Sequence, residues 1–285
     1  MQTKVLKAAI IAAGIVIIMS YLMKTLFRNN YYSIGKDAFH KVTMTTVGLL
    51  KPNSFETWLS LWGPHMLVLS NRQRAKGSKL EGHIWSHRNG NFLRKSQLLA
   101  YYRHIMKYRH TIRRICEIGF NGGHSALMWA ILFNGNIDIV VFDMCKDKRC
   151  DIGEELIREM FPKIRLKVVR GDSTKIVPIY RHNNPNVKCD FISIDGGHLG
   201  EVPKSDLLNM QYLAADNNII VMDDVNIKSN VAYEKTVGKA WKYAITNKLI
   251  KQIGECNPCT TDFTTTCTFC FGKYLKNTIE LDEEF

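Results

Sequence analysis

Three features that would point to common functions are missing or scarce in this sequence. The glycine-rich loop after residue 118 lacks the G-x-G-x-x-G spacing, which argues against a nicotinamide-dependent dehydrogenase. No Asn-x-Ser/Thr acceptor occurs among 20 asparagines, which weakly favours the cytosol. Acids are scarce between Arg72 and Arg114, where the sequence contains twelve Lys or Arg residues and a single acid, Glu81. A basic surface near a membrane explains this segment better than a nucleic-acid site, because no RNA-binding signature accompanies it.

The composition is that of a globular protein with a strong positive charge. The 285 residues are 46% apolar and 23% charged, which suits one large α/β domain with some additional length. The net charge of +13 favours anionic partners such as nucleic acid, lipid headgroups or a polyanionic substrate.

A membrane anchor is predicted at the N-terminus. Residues 8–23 are apolar without a break, and residues 25–27 extend the run to the length of about 20 that a spanning helix needs. No small-x-small cleavage site follows, so we expect an uncleaved anchor that contacts the membrane through residues 5–27. The predicted organisation is an anchor (1–28), a stalk and covering segment (29–89) and the main domain (90–285). An endomembrane location is expected, with the side left open, since eight cysteines favour a lumen.

The main domain alternates between strands and helices. Short Ile- and Val-rich runs are typical of strands buried on both faces of a parallel sheet. The sequence predicts a Rossmann-like, doubly wound, mostly parallel α/β sheet of seven strands whose last strand is antiparallel. The expected strands cover 115–118, 137–142, 164–169, 190–194, 218–222, 249–255 and 268–275. The expected helices cover 93–108, 125–133, 154–161, 202–213 and 231–247, and the Trp-rich segment 55–69 is expected to be broken at Gly63-Pro64.

Each of the first five predicted strands ends at or just before an acid. These acids are Glu117, Asp143, Asp172, Asp195, Asp223 and Asp224. Ligands bind at the carboxyl ends of the strands in open parallel sheets, and six acids on one edge are more than helix capping explains. Glu117 precedes the glycine bend and would repel a pyrophosphate. It suits a ligand with an ammonium group and ribose hydroxyls, such as S-adenosylmethionine (SAM).

Between Gly90 and Leu275 the sequence resembles class I SAM-dependent methyltransferases. The closer likeness is to the metal-dependent small-molecule O-methyltransferases of the catechol and macrolide-sugar type. The motifs that carry it are EIGFNGGHS (117–125), FD (142–143), GDS (171–173), IDGGH (194–198) and MDD (222–224). The resemblance implies that the cofactor contacts are Glu117, Gly119, Asn121, Gly123, His124, Ser125, Asp143, Asp172, Ser173 and Asp195.

A metal site is expected beside the cofactor. Asp195, Asp223 and Asp224 can converge on one hard cation, and oxygen ligands favour Mg²⁺ over zinc. A cation lowers the pKa of an acceptor hydroxyl, and His198 has the ordinary pKa of a base at neutral pH. The alternative is that Asp195 belongs only to the cofactor loop and His198 only starts a helix.

The cysteines leave three possibilities open. The pairs Cys256-x-x-Cys259 and Cys267-x-x-Cys270 lie at facing ends of the last predicted hairpin, where they could bind Zn²⁺, form two cross-strand disulfides or stay reduced. Cys145 and Cys150 could also form a disulfide in a lumenal protein.

The sequence therefore predicts a membrane-anchored, SAM-dependent methyltransferase, assisted by Mg²⁺, that acts on a hydroxyl of a small molecule or glycan. An RNA or protein methyltransferase is the alternative of the same class. A non-catalytic, membrane-anchored zinc-binding scaffold is the alternative of a different class.

Overall fold

A computed structural model describes residues 54–77, 85–86, 91–92, 95–225, 232–259 and 267–275. Contacts divide the chain into two units, Met1–Ser60 and Leu61–Phe285. In the first unit, the Ser54 Oγ accepts a hydrogen bond from the Thr57 backbone N–H at 3.1 Å. Among the described helices, none has the length and hydropathy to cross a membrane. The predicted anchor at residues 5–27 lies outside the described residues.

The second unit is built on a seven-stranded sheet. Its strands are β3 (Arg114–Ile118), β4 (Asp138–Asp143), β5 (Arg165–Arg170), β6 (Cys189–Ile194), β7 (Ala214–Met222), β8 (Ile250–Cys259) and β9 (Cys267–Tyr274). Their order across the sheet is β5-β4-β3-β6-β7-β9-β8. Strand β9 is antiparallel to both its neighbours, and the other pairings in this sheet are parallel. The predicted mostly parallel sheet of seven strands, with the last strand antiparallel, is confirmed.

Helices connect and cover these strands. They are α1 (Phe55–Ala75), α2 (Lys95–Tyr108), α3 (His124–Leu132), α4 (Arg149–Met160), α5 (Ser173–Asn183), α6 (Val202–Gln211) and α7 (Ala232–Thr246). Two short strands, β1 (Trp85–Ser86) and β2 (Asn91–Phe92), form a separate antiparallel pair. Residues 126–132 of α3 are all buried, and the central strands β3, β4 and β6 are buried along most of their length. This burial explains why they are apolar on both faces.

Two helices differ from the prediction. Helix α5 was not predicted, because Pro178 interrupts its sequence pattern; Asp172 starts it by accepting the Thr174 backbone N–H at 3.0 Å. Helix α1 runs through Gly63-Pro64 without a break. Within the second unit its buried residues Trp62, Met66, Leu69 and Gln73 follow helical spacing, and this packing outweighs the hydrogen bond that proline removes.

The parallel register places the carboxyl ends of β4 and β6 on either side of the glycine loop that follows β3. Ile118 of β3 lies opposite Phe142 of β4 on one side and Ile194 of β6 on the other. Asp143 and Asp195, the predicted ligands next to those two residues, therefore flank the loop that follows β3.

Candidate cofactor and metal site

The loop after β3 is a tight turn that only glycine can form at two positions. A side chain on Gly119, with φ +99°, would place its Cβ 1.9 Å from the Asp195 backbone oxygen. The Gly123 N–H donates to the Phe120 carbonyl at 2.7 Å and closes the turn. The Asn121 N–H donates to Asp143 Oδ2 at 2.9 Å, so a backbone amide of the loop holds the carboxylate that ends β4.

A cleft of about 390 Å³ opens beside this turn at the carboxyl ends of the strands. Five of the predicted cofactor residues line it, namely Gly119, Asn121, Asp143, Ser173 and Asp195. These five residues come from four separate loops, and the structure brings them together around one cavity. A nucleoside cofactor fits such a cleft, because the glycine turn permits close approach and Asp143 offers a carboxylate for ribose hydroxyls.

Glu117 lies behind the turn and is almost completely buried, at 1% exposure. Burial raises the pKa of its carboxyl from 4.5 to about 8, and the charges of Asp195 and Asp143 add to the rise, while the Ser125 hydroxyl opposes it. The Trp129 indole also lowers this pKa slightly, although neither its Nε1 nor Glu117 Oε2 completes a hydrogen bond with a described residue. A buried carboxyl oxygen without a partner among the described residues is available to accept a hydrogen bond from a ligand.

The other predicted cofactor residues surround the cleft without lining it. Gly123, with φ +81°, precedes α3, and His124 is that helix's first residue. Burial, with a contribution from Arg149, lowers the pKa of His124 to about 4, so its imidazole is neutral at physiological pH. Ser125 interacts with Glu117, and Asp172 caps α5.

Three side chains offer ligand atoms for a cation beside the cleft. Oxygens of Asp195 and Asp224 and a nitrogen of His198 all lie within 4.8 Å of one another. His198 Nε2 is 3.9 Å from Asp195 Oδ1 and 3.6 Å from Asp224 Oδ2. The interaction with Asp195 raises the pKa of His198, as do the charges of Asp224 and Asp223, against the effect of burial.

Asp223, the other predicted metal ligand, is not one of these three side chains. It is 6% exposed, and its Oδ1 accepts the Asp224 backbone N–H at 2.9 Å. Asp224 has the left-handed φ of +54°, which turns the chain directly after β7. The sequence predicted Asp195, Asp223 and Asp224 as the three metal ligands. In the structure the third side chain beside Asp195 and Asp224 is His198, which was predicted as a base.

The loop after β4 contributes cleft residues that the sequence analysis missed. They are Met144, Cys145, Lys146, Asp147, Arg149 and Cys150. Arg149 pairs with Asp147 at 2.7 Å, and Cys145 is joined to Cys150 by a disulfide. Their position directly after the FD motif was the available signal, since residues at the carboxyl end of a parallel strand face the ligand edge.

Two further disulfides join strands of the sheet. Cys256 of β8 is bonded to Cys270 of β9, and Cys116 of β3 to Cys189 of β6. A zinc site at the predicted cysteine pairs would need four thiolates, and this bond uses two of those sulfurs. Cys259 and Cys267 are paired in the backbone register of the same hairpin. The Cys116–Cys189 bond was not predicted, because 73 residues separate its members.

The fold is that of class I SAM-dependent methyltransferases, the class predicted from the sequence. Residues 116–225 match a family model described as a methyltransferase domain. No curated protein sequence is similar enough to the chain to count as a match.

Solved structures share the fold at low sequence identity. Cofactor-bound Rv0187 from MTB has a TM-score of 0.58 at 16% identity, over 74% of this chain and 89% of that chain. The O-methyltransferase from Bacillus cereus in complex with SAH has a TM-score of 0.57 at 15% identity, over 82% and 97%. The O-methyltransferase TomG from Streptomyces achromogenes, involved in tomaymycin synthesis and solved with SAM, has a TM-score of 0.56 at 14% identity, over 85% and 100%.

Proposed function

We propose that this protein transfers a methyl group from SAM to a hydroxyl oxygen of a small molecule or glycan, assisted by Mg²⁺. The observation that carries the proposal is the group Asp195, His198 and Asp224, because Asp195 belongs both to it and to the cofactor cleft. The O-methyltransferases of similar fold support the choice of oxygen as the acceptor.

The residues present suit a hard divalent cation. Asp195 and Asp224 supply carboxylate oxygens, the ligands that Mg²⁺ prefers, from the ends of two neighbouring strands. A cation bound there would lower the pKa of an acceptor hydroxyl and fix its orientation. The mutual repulsion of the two carboxylates is a further reason to expect positive charge between them.

The chain's own residues would perform three tasks. The glycine turn and Glu117 would hold the methionine end of SAM, with Glu117 accepting a hydrogen bond from its ammonium group, and Asp143 would hold the ribose hydroxyls. SAM supplies the methyl group on a sulfonium centre. His198, which already faces two carboxylates, would take the acceptor's proton at Nε2.

Calorimetry on matched variants tests these roles. Asp224→Asn should weaken Mg²⁺ binding at least about tenfold while binding of the product S-adenosylhomocysteine (SAH) stays within about twofold, because Asp224 does not line the cofactor cleft. His198→Ala should keep both affinities and lose turnover. If His198→Ala loses Mg²⁺ affinity as Asp224→Asn does, His198 is a metal ligand rather than the base. Wild-type protein that binds no divalent cation would contradict the metal-assisted proposal.

We also propose that the enzyme is anchored by residues 5–27 with its catalytic domain in the lumen of the endomembrane system. Three disulfides support an oxidising compartment, where such bonds form and persist. Mass-spectrometric thiol mapping of protein from its native membrane, with protease protection of intact vesicles, tests this. Alkylated Cys116 and Cys189, or a catalytic domain digested in sealed vesicles, would contradict it.

A further inference from the structure

Helix α1 makes a buried contact with the glycine turn of the cofactor site. Gln73, which is fully buried, donates from Nε2 to the Gly122 carbonyl at 2.8 Å. The two residues are 49 positions apart, and the sequence analysis assigned Gln73 only to a covering segment. A buried hydrogen bond to a backbone carbonyl of the cofactor loop calls for a functional explanation.

The contact completes the bonding of one peptide unit at the centre of the turn. The Gly122–Gly123 unit donates its N–H to the Phe120 carbonyl at 2.7 Å and accepts from Gln73 through its C=O. Because both polar groups of the unit are bonded, its plane cannot rotate without breaking a hydrogen bond. The neighbouring residue of the turn, Asn121, lines the cofactor cleft, so the orientation of this unit affects the cleft wall.

The space around Gly122 is filled from both sides. A Cβ on Gly122 would stand 2.3 Å from Gln73 Nε2, and a Cβ on Gly153 of α4 would stand 2.4 Å from the Gly122 oxygen. The turn is therefore held between the Gln73 side chain of α1 and the bare backbone of α4 at Gly153. Only glycine at both positions allows an approach this close.

Two ion pairs join α1 and the residue that follows it to α4. Arg72 pairs with Glu159 at 2.6 Å, and Lys76 pairs with Glu155 at 3.8 Å. All four side chains are more than a third exposed, so the pairs contribute little energy by themselves. Their order shows that the helices run antiparallel, which keeps Gln73 pointing at the turn.

We propose that Gln73 is a positioning residue for the cofactor and that α1 acts through it as a clamp on the glycine turn. This inference rests on the proposed function, in which the turn and Glu117 hold the methionine end of SAM. The clamp should then matter for ligands that carry the amino-acid part and not for ligands that lack it.

Calorimetry of the full chain with two ligands tests the clamp. SAH carries the amino-acid part, and methylthioadenosine has the same nucleoside without it. Gln73→Met keeps the side-chain length without the donor, and Gln73→Leu has a similar size and also lacks the donor. Both variants should bind SAH roughly five- to tenfold more weakly, the range for one lost hydrogen bond, and bind methylthioadenosine within about twofold of wild type. Arg74→Ala, an exposed change on the same helix, should bind both ligands as wild type does.

Each other outcome overturns the clamp. Unchanged SAH affinity, or equal losses for both ligands, would mean that Gln73 only stabilises the fold. Amide hydrogen exchange over residues 120–127, which needs no ligand, should be faster in both Gln73 variants, and unchanged exchange there would contradict the proposal. Wild-type protein that binds neither ligand would refute the proposed function itself, whereas a wild type that binds both, with variants that show no selective loss, refutes only the clamp.

Discussion

The buried carboxyl of Glu117 should report cofactor binding as a measurable proton release. With a pKa of about 8, the free protein carries a proton on this group in roughly nine of ten molecules at pH 7. An ammonium group brought to Glu117 favours the ionised carboxylate. We therefore expect SAH binding at pH 7 to release about 0.9 proton from Glu117, and affinity to rise by nearly tenfold per pH unit between about pH 6 and 7.5.

The same group should make stability depend on pH. Because the folded-state pKa lies above the ordinary value of 4.5, the protonated form is favoured in the folded protein. Its stabilisation is complete below pH 4.5 and is lost as the pH rises through about 8. A shift of this size corresponds to a change on the order of 5 kcal/mol in the free energy of unfolding.

Glu117→Gln separates these effects from the rest of the molecule, because glutamine has nearly the same shape and stays neutral at every pH. Calorimetry in two buffers of different ionisation enthalpy should find no proton release from Glu117 in this variant, and SAH affinity should be weaker than in wild type. Guanidinium unfolding should give similar stabilities at pH 5, and the variant should be the more stable protein at pH 9. The reasoning fails if wild type and variant release the same number of protons, or if their difference in stability does not change with pH.

Two further changes test the turn and the sheet. Gly119→Ala should abolish measurable SAH binding, since its Cβ would stand 1.9 Å from the Asp195 backbone oxygen. Gly254→Ala is the control, because Gly254 also has a positive φ but a Cβ there would meet nothing within 4 Å. This control should lower the free energy of unfolding by only about 1 kcal/mol and keep SAH binding. Normal SAH affinity of Gly119→Ala would contradict the described turn. The double change of Cys116 and Cys189 to serine should lower the free energy of unfolding by about 4 kcal/mol, because the disulfide closes a loop of 73 residues. Guanidinium unfolding with and without a reductant measures this, and a wild type indifferent to reductant would show that the bond does not stabilise the fold.

The positions of the strands along the chain and of the acids that follow them could be predicted because both depend on local pattern. Short Ile- and Val-rich runs identify strands, and a glycine turn between β3 and α3 identifies the ligand edge of a parallel sheet. Once the strands are parallel, their carboxyl ends must share that edge. Asp143 and Asp195 therefore lie beside one cleft, as their places in the sequence indicated.

Local pattern was insufficient where packing overrides it. Pro178 in α5 and Gly63-Pro64 in α1 are helix breakers by propensity, yet both helices are continuous. The buried apolar face stabilises α1, and the N-terminal cap from Asp172 helps to stabilise α5. The sequence also could not distinguish Asp223 from Asp224. Asp224 has a left-handed backbone and its carboxylate lies beside His198, while Asp223 is buried.

The sequence by itself determined the class of fold, the nucleoside cleft and the acids around it, because strand pattern and chain order together specify one edge of a parallel sheet. The tertiary structure alone decided which groups meet across long separations: Gln73 with the glycine turn, and Cys116 with Cys189. Such contacts depend on how helices and strands pack in three dimensions, and spacing along the chain carries no record of that packing.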